Sequence, residues 1–304
     1  MKKIILAILF SVSGWAFAEA QVSLSFNPEK GKRYEYQSES VQHIKQKVMG
    51  QEIPVELEMN STILMEIVDK TAQETTVKFT YKEMAYIVSS PIIKMGYDSK
   101  NPVENPSDID LTLSKIIGKM LGQSFTAIVA PDGAMKSISG TDAIGESMIA
   151  AVSPDNPIEA QIGTQMRMQF NDDGIRNFFA QPYNFYPANA VRIGDSWNID
   201  SETTINDVLL DMSTTYTLKG TLKYRNRDAA NITFESKIEM NPSLLGVDGK
   251  FTGKNSGTML VDVRSGLPMS HDLTQTITGT MNVQEMSLQM EMNATTKTTI
   301  TEVN

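Results

Sequence analysis

The sequence predicts an α+β fold: a long, curved, half-barrel-like antiparallel β-sheet with a mid-chain helical insert packed on one face. Three observations predict it. Long stretches alternate apolar and polar residues with a period of two. Between about 107 and 180 the apolar spacing changes to the helical period. The chain has 304 residues and no cysteine, so it must be held together by burial rather than by disulfides.

Residues 1–20 are expected to be a cleavable secretion signal. Lys2 and Lys3 precede an apolar run from Ile4 to Phe10 that resumes through Val12, Trp15 and Phe17, and Ala16, Ala18 and Ala20 supply small residues for cleavage. Ala18-Glu19-Ala20 is the favoured site over Ala16-Phe17-Ala18, leaving Gln21 first. The apolar stretch falls short of the roughly 20 residues a membrane-spanning helix needs. The expected location is therefore exported, periplasmic or extracellular, with residues 21–304 as a single α+β domain and no transmembrane segment after cleavage. Without a cysteine the lipid anchor of a lipoprotein is excluded.

The first strand block spans about 22–97. Its clearest run is Ile53, Val55, Leu57, Met59, Ser61, Ile63, Met65 and Ile67, set against Glu56, Glu58, Asn60, Thr62 and Glu66. A strand turns successive side chains to opposite faces, so one face here is dry and the other wet. The helical insert spans about 107–180. Ile109, Leu113, Ile116, Ile117, Met120 and Leu121 form one stripe between Ser107 as cap and Gly122 as stop. Phe125 to Val129, the turn Pro131-Asp132-Gly133, and Met135 with Ile138 form a hairpin. Thr141 or Asp142 opens a second helix to about Val152. Asn156, Pro157 and Glu159 open a third with the stripe Ile158, Ile162, Met166, Phe170, and Asp172 caps a last turn to Phe179.

The second strand block, about 191–303, alternates in Leu210, Met212, Tyr216, Leu218, Leu222 and Tyr224, then in Ile232, Phe234, Ile238 and Met240. It continues in Met259, Val261 and Val263, in Met269, Leu273, Ile277 and Met281, and in Met286, Leu288, Met290, Met292 and Ala294. One-sided alternation belongs to antiparallel sheet with a solvated outer face. Turns are expected at Met49-Gly50-Gln51, Lys70 to Glu74, Arg227-Asp228 and Ser265-Gly266. Gly31-Lys32-Arg33-Tyr34-Glu35-Tyr36 and Gly194-Asp195-Ser196-Trp197-Asn198-Ile199 open the two blocks with the same glycine-to-aromatic offset, a faint sign of duplication.

Gly31-x-x-Tyr34-x-Tyr36, Pro131-Asp132-Gly133, Tyr186-Pro187 to Val191-x-x-Gly194-Asp195-Ser196-Trp197, and Gly257-x-x-x-x-Asp262-x-x-x-Gly266 resemble an exported bacterial domain family of unknown function, whose members are envelope proteins and lipoproteins. The resemblance covers nearly all of the chain after the leader, and its motifs are structural, so it implies no catalytic residue. At fold level alone, a curved sheet covered by helices is also similar to the LolA-type lipoprotein carriers, which hold acyl chains in the concavity.

Enzyme chemistry is not expected. The sequence lacks G-x-S-x-G, H-E-x-x-H, a phosphate-binding loop and G-x-G-x-x-G. With only His43 and His271, a multi-histidine metal site cannot be built; His271 lies in the buried phase and His43 in the polar phase. Carboxylates such as Glu56, Glu58 and Glu66 spread along wet strand faces. Asn171-Asp172-Asp173-Gly174 lacks the spacing of a calcium loop and reads as a helix cap. No cofactor is expected. The net charge of −9 repels nucleic-acid phosphates.

Methionine is the unusual residue, 19 in all. Met59, Met65, Met212, Met240, Met259, Met269, Met281, Met286, Met290 and Met292 share the apolar strand phase. Flexible, polarizable thioethers suit apolar ligands of variable shape. The functional expectation is a non-enzymatic exported protein holding a lipid or acyl chain, with Met59, Met65, Met212, Met240, Met269, Met281 and Met290 as the ligand-binding residues. The blander account is that these side chains fill the core beneath the helices. The alternative function is an interaction or scaffold module of an envelope assembly, its protein partner unknown.

Overall fold

The computed structural model describes residues 21–304 apart from 49, 158, 161, 165–182, 206–207, 242–247 and 284–285. The expected leader, the Asn171-Asp172-Asp173-Gly174 cap and the helical turn to Phe179 lie outside the described residues.

Among the described residues twelve strands form one antiparallel sheet, in the order β6-β5-β3-β2-β1-β12-β11-β10-β9-β8-β7, with β4 also paired to β3. Strands β1 (Arg33–Val48), β2 (Gln51–Lys70) and β3 (Thr75–Ser89) meander one way. The short strands β4 (Lys94–Asp98), β5 (Ser124–Val129) and β6 (Met135–Ser139) complete that side, β4 and β5 sharing the outer edge of β3. From the other edge, β7 (Ser196–Ile205), β8 (Val208–Tyr224), β9 (Arg227–Asn241), β10 (Asp248–Asp262), β11 (Pro268–Val283) and β12 (Met286–Val303) meander back. The two series join where β12 pairs with β1, Tyr36 facing Ile300.

The predicted alternation is present, with one correction. A bulge between Leu218 and Gly220 adds a residue to β8 and inverts its phase. Leu222, expected on the dry face, is 39% exposed. The turn expected at Arg227-Asp228 sits two residues earlier: Arg225 and Asn226 both adopt positive φ, the two-residue turn whose twist suits a hairpin.

Among the described residues the fold is mostly β, and its helices are short. Helix α1 (Asp108–Gly118) starts at the predicted cap Ser107 in a reciprocal capping box with Asp110. Asp110 also accepts from the backbone N–H of Gly96 at 2.7 Å, tying the helix start to β4. Helix α2 (Thr141–Ile149) begins after Gly140 rather than at a side-chain cap. At the third predicted start, Asn156 Oδ1 accepts from Glu159 N at 3.3 Å. Helices α1 and α2 pack beside β4 and β5 at one edge, so they do not roof the whole sheet.

The sheet curls strongly. Nine strand spacings separate β5 from β7, roughly 43 Å if laid flat. Yet Tyr183–Tyr186, four residues that reach only about 10 Å, touch both sides. A Cβ on Gly133, in the β5–β6 turn, would collide with the Tyr183 carbonyl and the Tyr186 ring; Gly133 also holds φ +83°. At the far edge, Trp197 Nε1 donates to the Phe185 carbonyl at 2.7 Å and the Tyr216 hydroxyl to the Asn184 carbonyl at 3.2 Å. Tyr186 donates to Gly266 in the β10–β11 turn at 2.8 Å, and Tyr183 to the Met65 thioether at 3.4 Å.

The N-terminal segment 21–32 runs beside this aromatic segment. Val22 bridges Val191, Phe26 N donates to Pro131 at 2.7 Å, and the Phe26 ring meets Tyr183 edge-on at 5.4 Å. Together they plug one end of the curled sheet with buried aromatic rings. The other end of the long strands continues beyond the plug.

Candidate functional site

The candidate site is the concave face beyond the plug. Along each long strand the inward phase changes character from one end to the other. On β2, Ile67, Met65 and Ile63 are buried, whereas Met59, Leu57, Val55 and Ile53 are half-buried. On β12 the sequence runs from buried Ile300 and Thr298 to half-buried Met292, Met290 and Leu288. On β8 it runs from buried Leu218 and Tyr216 to half-buried Met212 and Leu210.

The registers align these residues into rows across the sheet. One row is Val55, Ile44, Met292, Ile277, Gly253, Ile238 and Met212. The next is Ile53, Gln46, Met290, Gly279, Phe251, Met240 and Leu210. Leu288 and Met281 begin a third. None of these inward positions carries a charge. The Phe251 ring lies over Gly279, where a Cβ would displace it, so the strands approach closely along the trough floor.

The seven methionines singled out from the sequence divide into two groups. Met212, Met240, Met281 and Met290 line this trough and remain half-buried, whereas Met59, also half-buried, shares a row with Phe234 and Tyr216 at the border of the packed end. Met65 and Met269 share their phase but sit in the packed end; Met65 has 0% exposure and receives the Tyr183 hydroxyl. The period of two specifies the face of a strand but not the distance along it, which is why the sequence could not separate them. The Met286 side chain lies outside the described residues.

Residues with ionisable chemistry stand elsewhere. His271 is inward and mostly buried, stacked on Phe234 at 5.1 Å between centroids. Burial pushes its pKa down to about 4, with Asp272 opposing. His43 is exposed on the outer face beside Glu56, 3.2 Å from Nδ1 to Oε2. At the plugged end, Asp262 and Glu302 both line a cleft of about 200 Å³ with Tyr34, Arg225 and Arg227. There Arg227 bridges both carboxylates, reaching Asp262 at 3.0 Å. Glu302 also takes Lys32 at 2.5 Å, and that hydrogen bond, against some burial, holds its pKa below the usual range. Both carboxylates are committed to cations, which makes this cleft a lock between the ends of β9, β10 and β12. Among the described residues no group of three or more His, Cys, Asp or Glu could hold a metal ion.

The motif residues act as structural pins. Asp262 accepts from Arg264 N at 2.9 Å and its carbonyl from Gly266 N at 2.8 Å, closing the β10–β11 turn. The two strand entries are built alike. Gly31 N donates to Ile67 O while Ile67 N donates to Lys32 O, and Gly194 N donates to Leu218 O while Leu218 N donates to Asp195 O. Both glycines hold positive φ. Among the described residues no helix is long and apolar enough to cross a membrane.

Three of the solved structures that resemble the chain distantly each cover most of it. One, on lipid–protein interactions in lipovitellin, is 14% identical, covers 89% of this chain and 25% of its own, and has a TM-score of 0.42. The chain thus spans about a quarter of that protein's length. An outer membrane channel from Pseudomonas putida F1 is 7% identical over 94% of this chain and 98% of its own, with a TM-score of 0.23. OccK7 (OpdD) of Pseudomonas aeruginosa is 8% identical over 90% and 100%, with a TM-score of 0.26. No curated protein matches the chain. The model of a family of unknown function matches residues 72–268, which takes in the Pro131–Gly133, Gly194–Trp197 and Gly257–Gly266 motifs, and the chain belongs to that family (DUF6263).

Proposed function

We propose that this protein is an exported, non-enzymatic envelope protein that holds an apolar ligand, a lipid or acyl chain, in the trough beyond the aromatic plug. The observation that carries the reading is the uncharged, half-buried apolar surface built by Met212, Met240, Met281 and Met290 with Ile44, Val55 and Leu288. Ligand sites are concave and mostly apolar, and methionine adapts to guests of variable shape. The pairing of Asp262 and Glu302 with one guanidinium supports the non-enzymatic reading, since this cleft holds its acidic groups in ion pairs.

Native mass spectrometry of protein taken from its own compartment tests this. A bound lipid released by organic extraction is expected, as is uptake of a fluorescent fatty acid by the emptied protein. Empty protein that also takes up no such probe would rule the carrier reading out. A second reading, an interaction module of an envelope assembly, is favoured by the β3–β4 turn, where Ile92 is 80% exposed beside Ile93. Crosslinking in cells from that turn would then return one dominant protein.

A further inference from the structure

We infer that the trough takes an uncharged amphiphile and seats its hydrogen-bonding head inward, on a polar row that separates the plug from the apolar rows. The inference rests on the reading above and names the ligand class. Register sets Gln42, Ala294, Gln275, Asn255, Ser236 and Thr214 side by side on β1, β12, β11, β10, β9 and β8. Every one is inward. On one side of this row stand Tyr216, Phe234 and the packed aromatic end; on the other stand the methionine-rich rows.

A wall that only had to pack would carry leucine or isoleucine at these positions. Five of the six are instead amides or hydroxyls, and buried polar groups need partners. Two pairs satisfy each other in part: Gln275 Nε2 donates to Asn255 Oδ1 at 2.9 Å, and the Thr214 and Ser236 hydroxyls lie 2.9 Å apart. Asn255 is 9% exposed, yet among the described residues neither its own amide nitrogen nor the Gln275 carbonyl meets a further partner. One donor and one acceptor therefore stand together at the inner end of an apolar trough.

Ala294 shapes the place beside them. Its short side chain lies between Gln42 and Gln275, which are two strand spacings apart, about 10 Å. A polar head can rest on Ala294 between two amides. From Ala294 to Leu288 β12 advances about 20 Å, the reach of a long acyl chain, past Met292 and Met290.

The charge of the head follows from the same rows. Neither this row nor the rows flanking it contain a Lys, Arg, Asp or Glu on the inward phase. A carboxylate or phosphate seated here would lose its hydration without meeting a counter-charge, whereas an ester, amide or hydroxyl would exchange hydrogen bonds.

The test is equilibrium dialysis of the delipidated full-length mature protein at neutral pH against three radiolabelled probes of one chain length: monooleoylglycerol, oleate and octadecene. The wild type is expected to bind monooleoylglycerol at least about tenfold more tightly than oleate, whose carboxylate would be desolvated without a counter-charge. Asn255→Leu/Gln275→Met, close in volume, is expected to weaken monooleoylglycerol binding about tenfold relative to octadecene, the size of one well-made hydrogen bond. Gln42→Leu, at a half-buried position, serves the same comparison if the double variant fails to fold by circular dichroism. Equal or tighter oleate binding, or monooleoylglycerol binding that the variants leave unchanged relative to octadecene, overturns the inference while the apolar trough stands. Failure of all three probes to bind overturns the trough reading itself.

Discussion

Replacing Phe185 by Ala is expected to destabilise the protein by about 3–5 kcal/mol, the range for deleting a fully buried phenylalanine. Phe185 has 0% exposure, packs against Tyr186 at 4.1 Å and Tyr216 at 6.4 Å between centroids, and its carbonyl holds the Trp197 indole. The ring sits where the two edges of the sheet are brought together, so its removal leaves a cavity at the seam that maintains the curl. Urea unfolding followed by circular dichroism measures the change as a lower midpoint at unaltered slope. Ile193→Ala, at a position 55% exposed, should stay within about 0.5 kcal/mol of wild type. A loss below about 1 kcal/mol for Phe185→Ala would mean that the plug does not hold the sheet together.

Stability should fall as the pH is lowered from about 6.5 to about 4, and His271 should account for a large part of it. In the unfolded chain its imidazole gains a proton near the ordinary value of 6.5, whereas in the fold burial delays this to about 4. Between those values the unfolded state binds more protons, so the folded state loses ground as pH falls and the loss is complete near the lower value. The shift corresponds to about 3 kcal/mol at most. Across the sheet His271 faces Met259 and Thr298, neither of which carries a charge, and the neighbouring Asp272 opposes the shift only in part. His271→Phe, which keeps a ring against Phe234, should flatten the stability profile over that window. A profile as steep as wild type would place the proton uptake elsewhere.

Much of the fold was legible because each long strand hides one flank. The runs containing Leu57, Met212, Phe234, Ile277 and Met290 all became strands with the expected face inward. The helix cap at Ser107 was legible for a local reason, since a hydroxyl followed three residues later by a carboxylate satisfies the first free N–H groups. The bulge in β8 was not, because an inserted residue leaves no mark on composition and Leu222 simply continues the even series. Nor was the plug. Tyr183, Phe185 and Tyr186 show no periodicity, and their role depends on both edges of the sheet arriving at one place, a non-local event.

The candidate site was legible by half. The methionine phase marks the inward face of the strands, and that face also includes Met65, which Tyr183 covers, and Met269, which lines the Arg227 cleft. Depth along a strand is decided by what lands on it, and Tyr183 comes from more than a hundred residues away. The polar row was hidden for a related reason. Gln275 and Asn255 are single amides in separate strands and Gln42 one of several polar residues on β1, and only the strand registers line them up.

Because the chain has no cysteine, single cysteines placed at each position from Leu288 to Asn293 of β12 can carry a polarity-sensitive fluorophore. Addition of monooleoylglycerol should shift the emission to the blue at Leu288, Met290 and Met292, which face the trough, and leave it unchanged at Gln289, Glu291 and Asn293, which face water. A uniform response along the strand, or silence at the three inward positions, would contradict a one-sided apolar trough that receives a ligand.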